Sequence, residues 1–98
     1  MYDLICKAIK EKRRVKMFYK GGERIIEPHA FGYDKKGQRK LRAYQIGGYS
    51  ESGNTVGWKL FTVDNIDNFR ILDDYFKEPR IGYNPFGDKM IPNIICKI

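Results

Sequence analysis

Between Val15 and Asp73 the chain reads as short β-type segments cut by turns, and this punctuation limits the fold more than any other feature. "VKMFYK" is β-branched and aromatic, and the Gly21-Gly22 pair after it can supply the positive φ angles of a tight hairpin. "ERIIEPHAFGY" follows as a second strand, with Pro28 marking an edge, a bulge or a bend. "DKKGQ" is a turn, and "RKLRAYQI" is the third strand. The Gly- and Ser-rich "GGYSESGNTVG" is a loop or a wide hairpin tip. "WKLFTV" then gives a fourth strand, "DNID" a short polar connection and "NFRILD" a fifth strand.

One helix precedes the strands. Over residues 3–14 the residues Leu4, Ile5, Ala8 and Ile9 recur at spacings of three and four, a single apolar stripe. Asp3 can cap its start, and Lys12, Arg13 and Arg14 suit the negative end of the helix dipole. After the strands, a tail over residues 73–98 holds three of the four prolines and is expected to wrap the surface. Its apolar end, "MIPNIICKI", docks as a last strand or as a helical turn. A helix followed by five strands at spacings of about ten residues predicts a mainly β (α+β) domain, a five-stranded Sm-like or SH3-like small barrel. A helix packed on an open antiparallel sheet is the alternative.

With 98 residues the chain has room for one domain, 1–98, and one modest core. No apolar run approaches the roughly 20 residues of a membrane span. The N-terminal "MYDLICKAIKEKRR" carries its charge after its apolar stretch, the reverse of a secretion signal, which leads us to expect a cytoplasmic protein. Cys6 and Cys96 stand near opposite ends, with no CxxC and no neighbouring His, and read as two free thiols rather than a disulfide framework.

The net charge of +7 is uneven. Residues 1–50 hold thirteen Lys and Arg against five Asp and Glu, while residues 51–98 hold six against seven. One face is therefore expected to attract a polyanion. On the third strand, alternation puts Leu41 and Ala43 inward and Lys40, Arg42, Tyr44 and Ile46 on the other side. Cations beside a tyrosine can neutralise phosphates and stack on a base, or form a plain solvated face with the ring lying over lysine stems.

The stretch "ICKAIKEKRRVKMFYKGGERIIEPHAFGYDKKGQRKLRAYQ", followed by "WKLFTVDNI", resembles a WYL domain over residues 5–72. Tyr19, Arg24, Pro28, Leu41, Ala43, Phe61, Asp64 and Ile66 fall at motif positions. "EPHA.G", "LRAYQ", "GWKLF.VD.I" and "PR.GYNP" also resemble small stand-alone bacterial WYL-like proteins. The resemblance implies an Sm-like barrel and a ligand-sensing, regulatory role, in some members by binding single-stranded nucleic acid on a basic groove. The chain departs from the motif at its centre. Arg39 and Lys40 replace the Trp and Tyr that name the family, Lys59 stands for a usual Arg, and Asn65 for another.

Tyr19, Arg24, His29, Lys40, Arg42, Tyr44, Lys59 and Arg80 are accordingly the candidate ligand-binding residues. Tyr19 can equally be core, and Arg24 can pair with Glu23 or Glu27. His29, the sole histidine, has no adjacent acid or nucleophile and reads first as a hydrogen-bonded structural group. Trp58 reads as packing at a barrel rim, and Arg80 and Tyr83 as the tail's best candidates. No phosphate loop, nucleophile elbow, zinc spacing or calcium loop occurs, so no enzyme, cofactor or metal is expected. The expectation is a binding module for an anionic ligand, single-stranded nucleic acid or a nucleotide. A protein-interaction or homo-oligomerisation module is the rival.

Overall fold

The computed structural model describes residues 1–98. A helix, α1 (Tyr2–Glu11), precedes β1 (Arg13–Tyr19), β2 (Gly22–Tyr33), β3 (Arg39–Gly48), β4 (Gly57–Thr62), a single 3-10 turn (Val63–Asn65), β5 (Ile66–Tyr75) and β6 (Asn93–Lys97). All strand pairs are antiparallel. The domain is mainly β, an N-terminal helix on a six-stranded sheet that does not close, which is nearer the open-sheet alternative than a closed five-stranded barrel. No helix is long and apolar enough to cross a membrane.

The helix is shorter than its sequence pattern suggests. Lys12 turns into the left-handed region at φ 51° and ends it, so Arg13 and Arg14 begin β1 instead of facing the helix dipole. Ile5, Ala8 and Ile9 are buried as the stripe requires, whereas Leu4 is half exposed. Asp3 lies inside the first turn and makes no capping hydrogen bond. The hairpin turn falls one residue early, at Lys20-Gly21, where positive φ at both central residues is the signature of a type I′ turn.

The sheet path runs β4-β3-β2-β1-β5. Four strand spacings of about 4.8 Å would separate its two ends by roughly 19 Å in a flat sheet. Yet β4 ends at Thr62 and β5 begins at Ile66, a link that reaches at most about 14 Å. The sheet must therefore curl. Tyr19 holds this rim: it pairs with Ile66, and its hydroxyl accepts the Thr62 N–H at 3.0 Å.

β2 has two partners on one edge. β1 pairs with Gly22–Ile26 and β6 with Ala30–Tyr33, while β3 covers the opposite edge. Pro28 sits in the interval between those two partners, beside a register shift at Pro28/Ala30. Gly32 permits the approach of β6, since a Cβ there would lie 2.1 Å from the Asn93 carbonyl. The end of the tail is thus a strand, which the sequence left open. The two cysteines are also not free: Cys6 on α1 and Cys96 on β6 form a disulfide with Cα atoms 5.8 Å apart. Ninety residues separate them in sequence, and only the return of β6 to β2 brings them together. The core gathers Ile5, Ala8, Ile9, Val15, Met17, Ile26, Phe31, Leu41, Ala43, Phe61, Val63 and Ile66 between helix and sheet.

Candidate functional site

Alternation along β3 is as expected: Leu41, Ala43 and Gln45 are buried, and Lys40, Arg42, Tyr44 and Ile46 are partly exposed. The eight candidate residues do not form one groove. They divide among three places.

The first is an ionic and aromatic cluster under the tail. Glu27 is fully buried in β2. Its Oε1 accepts the Arg80 Nε–H at 2.6 Å, and its Oε2 accepts Arg14 Nε at 3.0 Å and Arg80 Nη2 at 3.2 Å. Burial pushes the Glu27 carboxyl up, but the Arg80 and Arg14 hydrogen bonds outweigh it and hold the carboxyl below its ordinary value. The same bonds raise both arginines; for Arg14 the Asp74 carboxylate contributes most. Arg80 also lies 4.7 Å over the Tyr44 ring, so that ring face is taken. Buried His29 has both nitrogens engaged, Nδ1 with the Glu27 carbonyl at 2.8 Å and Nε2 accepting the Arg80 N–H at 3.1 Å. Those partners fit the neutral ring protonated on Nδ1, and burial lowers its pKa. Arg42 is held by the tail through a two-pronged pair with Asp88, at 2.8 and 3.2 Å. This pair, more than any other influence, keeps the Asp88 carboxyl low.

The second place is the rim near the first hairpin. Arg24 pairs with neither Glu23 nor Glu27. Its Nε donates to the Tyr19 carbonyl at 3.1 Å, and its guanidinium lies 5.1 to 5.7 Å from the Tyr19, Tyr49 and Phe61 rings. Only 4 % exposed, it is enclosed by aromatic rings rather than presented to a ligand. Tyr19 is core, and Lys59 donates to Ser50 Oγ at 3.2 Å.

The third place contains Lys40, and here cations gather without acids to match. Lys40 lines a cleft of about 400 Å³ with Asp34, Lys35, Lys36, Gln38, Lys89 and Met90. The cleft's one acid is Asp34, whose Oδ1 accepts the Lys36 and Gln38 backbone N–H groups at 2.9 and 2.8 Å, so four lysines face a single carboxylate. Lys40 Nζ donates to Thr62 Oγ1 at 2.7 Å, and none of the four lysines is in an ion pair.

Sequence reasoning missed Lys35, Lys36 and Lys89, because "DKKGQ" carries a clear turn signal and Lys89 lies in the irregular tail. It also missed Glu27. No local signal marked it: between inward-facing Ile26 and Pro28, alternation turns residue 27 outward, and it is buried there where Arg14 and the tail's Arg80 meet it. Nowhere do three or more His, Cys, Asp or Glu side chains gather where they could hold a metal ion. Comparison with protein families, with curated proteins and with solved structures finds no match to this chain.

Proposed function

We propose that this chain is a WYL-like, non-enzymatic regulatory module that binds an anionic ligand, single-stranded nucleic acid or a nucleotide. Phosphates are neutralised on the lysine-lined cleft, and no bond is broken. One observation carries the reading: Lys35, Lys36, Lys40 and Lys89 share a cleft whose only carboxylate is already hydrogen-bonded. Lysine stems are flexible and their ammonium groups hydrated, which suits contact with a moving backbone of phosphates.

The family side of the proposal rests on the quoted motifs alone. We read the curled sheet as a small barrel of the Sm-like or SH3-like type, left open between β4 and β5. The strand order, the three-residue link Val63–Asn65 and the bridging Tyr19 support that reading. The departures of Arg39, Lys40, Lys59 and Asn65 from the motif bear on the ligand, because the basic contacts move from the motif positions toward the "DKKGQ" turn and the tail. A cytoplasmic setting fits a nucleic-acid partner; a reducing thiol pool there would act on Cys6–Cys96.

Short labelled DNA and RNA strands titrated across a salt series test the proposal. Affinity should fall linearly on log–log axes, with a slope near about −3 if four lysines each displace roughly 0.7 of a counterion. No binding at about 50 mM salt, where such contacts are strong, overturns it. The rival protein-interaction reading has an observation of its own: β4 and β5 are free sheet edges at the ends of the path. A stable oligomer in solution that ignores nucleic acid would favour it.

A further inference from the structure

Next to the lysine cleft, and sharing Lys89 with it, lies a second depression of about 330 Å³. Arg42, Trp58, Tyr83, Asn84, Asp88 and Lys89 line it. Small-molecule pockets span about 300–1,000 Å³, so this one has room for a single nucleoside-sized group and not for a run of them. Its two aromatic rings are arranged in a specific way. Trp58 and Tyr83 lie 25° from parallel with centroids 6.5 Å apart. Buried His29 occupies the inner side of the space between them, so a base can reach the two rings only from the open side of the depression.

Neither ring is loose. Trp58 Nε1–H donates to the Ile81 carbonyl at 3.0 Å, and the Tyr83 hydroxyl donates to the Ile98 carbonyl at 2.9 Å. Buried His29 packs against both, at 4.7 Å from Trp58 and 5.2 Å from Tyr83. Rings already fixed in place lose little freedom when a ligand arrives. Phe86, between the lining residues Asn84 and Gly87, is 96 % exposed and contributes nothing to the core.

We propose that this depression is a stacking subsite for one nucleobase, termed the clamp below. One base of a single strand enters against Trp58 and Tyr83, its phosphate rests on Lys89, and neighbouring phosphates continue toward Lys40, Lys36 and Lys35. The clamp rests on the nucleic-acid reading above and names its stacking subsite. Arg42 and Asp88 are committed to each other, so the pocket holds a base by its faces rather than by reading its edge. It therefore tolerates different bases.

Trp58 is the only tryptophan, so its fluorescence reports this pocket alone. A thymidine pentamer is compared with an abasic pentamer carrying the same phosphates. Both bind, the thymidine strand about tenfold more tightly, as one stacked base requires. Only the thymidine strand changes Trp58 emission, and it does so saturably. Trp58→Leu brings the thymidine strand down to the affinity of the abasic strand, whose own binding is unmoved. Equal affinity of the two strands for the wild-type chain, with Trp58 emission unchanged, overturns the clamp and leaves the nucleic-acid reading standing. Failure of both strands to bind overturns both. The emission is read on the wild-type chain, so the outcome stands whether or not the variant folds.

Discussion

Two basic regions of this molecule look alike in sequence and differ in kind. Around Glu27 the cations are arginines, each matched by a carboxylate: Arg14 and Arg80 converge on one buried acid, and Arg42 is held by Asp88. Around Lys40 the cations are lysines, and four of them face a single carboxylate, Asp34. The division holds across the chain. Of seven arginines, six pair with Asp or Glu and the seventh, Arg24, is enclosed by rings and carbonyls. Of twelve lysines, only Lys16 comes within reach of a carboxylate, at 4.0 Å. The planar guanidinium fork matches a carboxylate and fastens one element to another, strands to the tail through Arg42 and Arg80, whereas the lysine charge is left for solvent and ligand. A count of cations therefore overstates the surface that can meet a polyanion.

The largest effect should come from breaking the arginine region. Arg14→Ala with Arg80→Ala strips a fully buried carboxylate of both cations, and stability measured by denaturant should fall by about 3–5 kcal/mol. If the two regions are independent, oligonucleotide affinity at a temperature where the variant stays folded should be unchanged. Opening the disulfide comes next. Reduction, or Cys6→Ala with Cys96→Ala, should lower stability by about 2–4 kcal/mol. It acts on the strand that follows β1 along the same edge of β2, next to Glu27 and His29. A thermal melt with and without reductant measures it.

The smallest effect is that of pH. His29 is depressed from 6.5, so its neutral folded form contributes stability above that pH and loses it as pH falls below, by at most about 1.4 kcal/mol per pH unit for one proton. Glu27 is depressed from 4.5, so its contribution is present above 4.5 and is lost as pH falls through its lower folded value. Midpoints of unfolding measured from pH 7 to pH 5 should decline, and His29→Gln should flatten that decline.

Local rules carried the sequence reading well where the signal is local. Alternation in "RKLRAYQI" gives the buried and exposed faces of β3 residue by residue, and the first five strands lie within a few residues of their expected positions. The failures are of two physical kinds. Arg13 and Arg14 suit either a helix end or a strand start, and the left-handed turn at Lys12 decides between them. Cys6–Cys96, Arg80–Glu27 and Arg42–Asp88 span 90, 53 and 46 residues, and all depend on where the tail returns. Periodicity carries no information about such returns. For the site, the consequence was specific: Arg24, Arg42 and Arg80 looked like ligand contacts until their internal partners were known, and Lys35, Lys36 and Lys89 looked like ordinary turn and tail residues.

The most direct measurement compares two double variants that remove the same charge. Lys36→Gln with Lys40→Gln empties part of the cleft, while Arg39→Gln with Arg70→Gln removes arginines paired with Asp64 and Glu23. Each is titrated with a single-stranded oligonucleotide across a salt series. If lysines carry the ligand, the lysine variant flattens the log–log slope by about 1.4, roughly 0.7 per lost contact, and the arginine variant leaves it unchanged. An arginine variant that flattens the slope as much as the lysine variant would contradict the division between structural arginines and ligand-facing lysines.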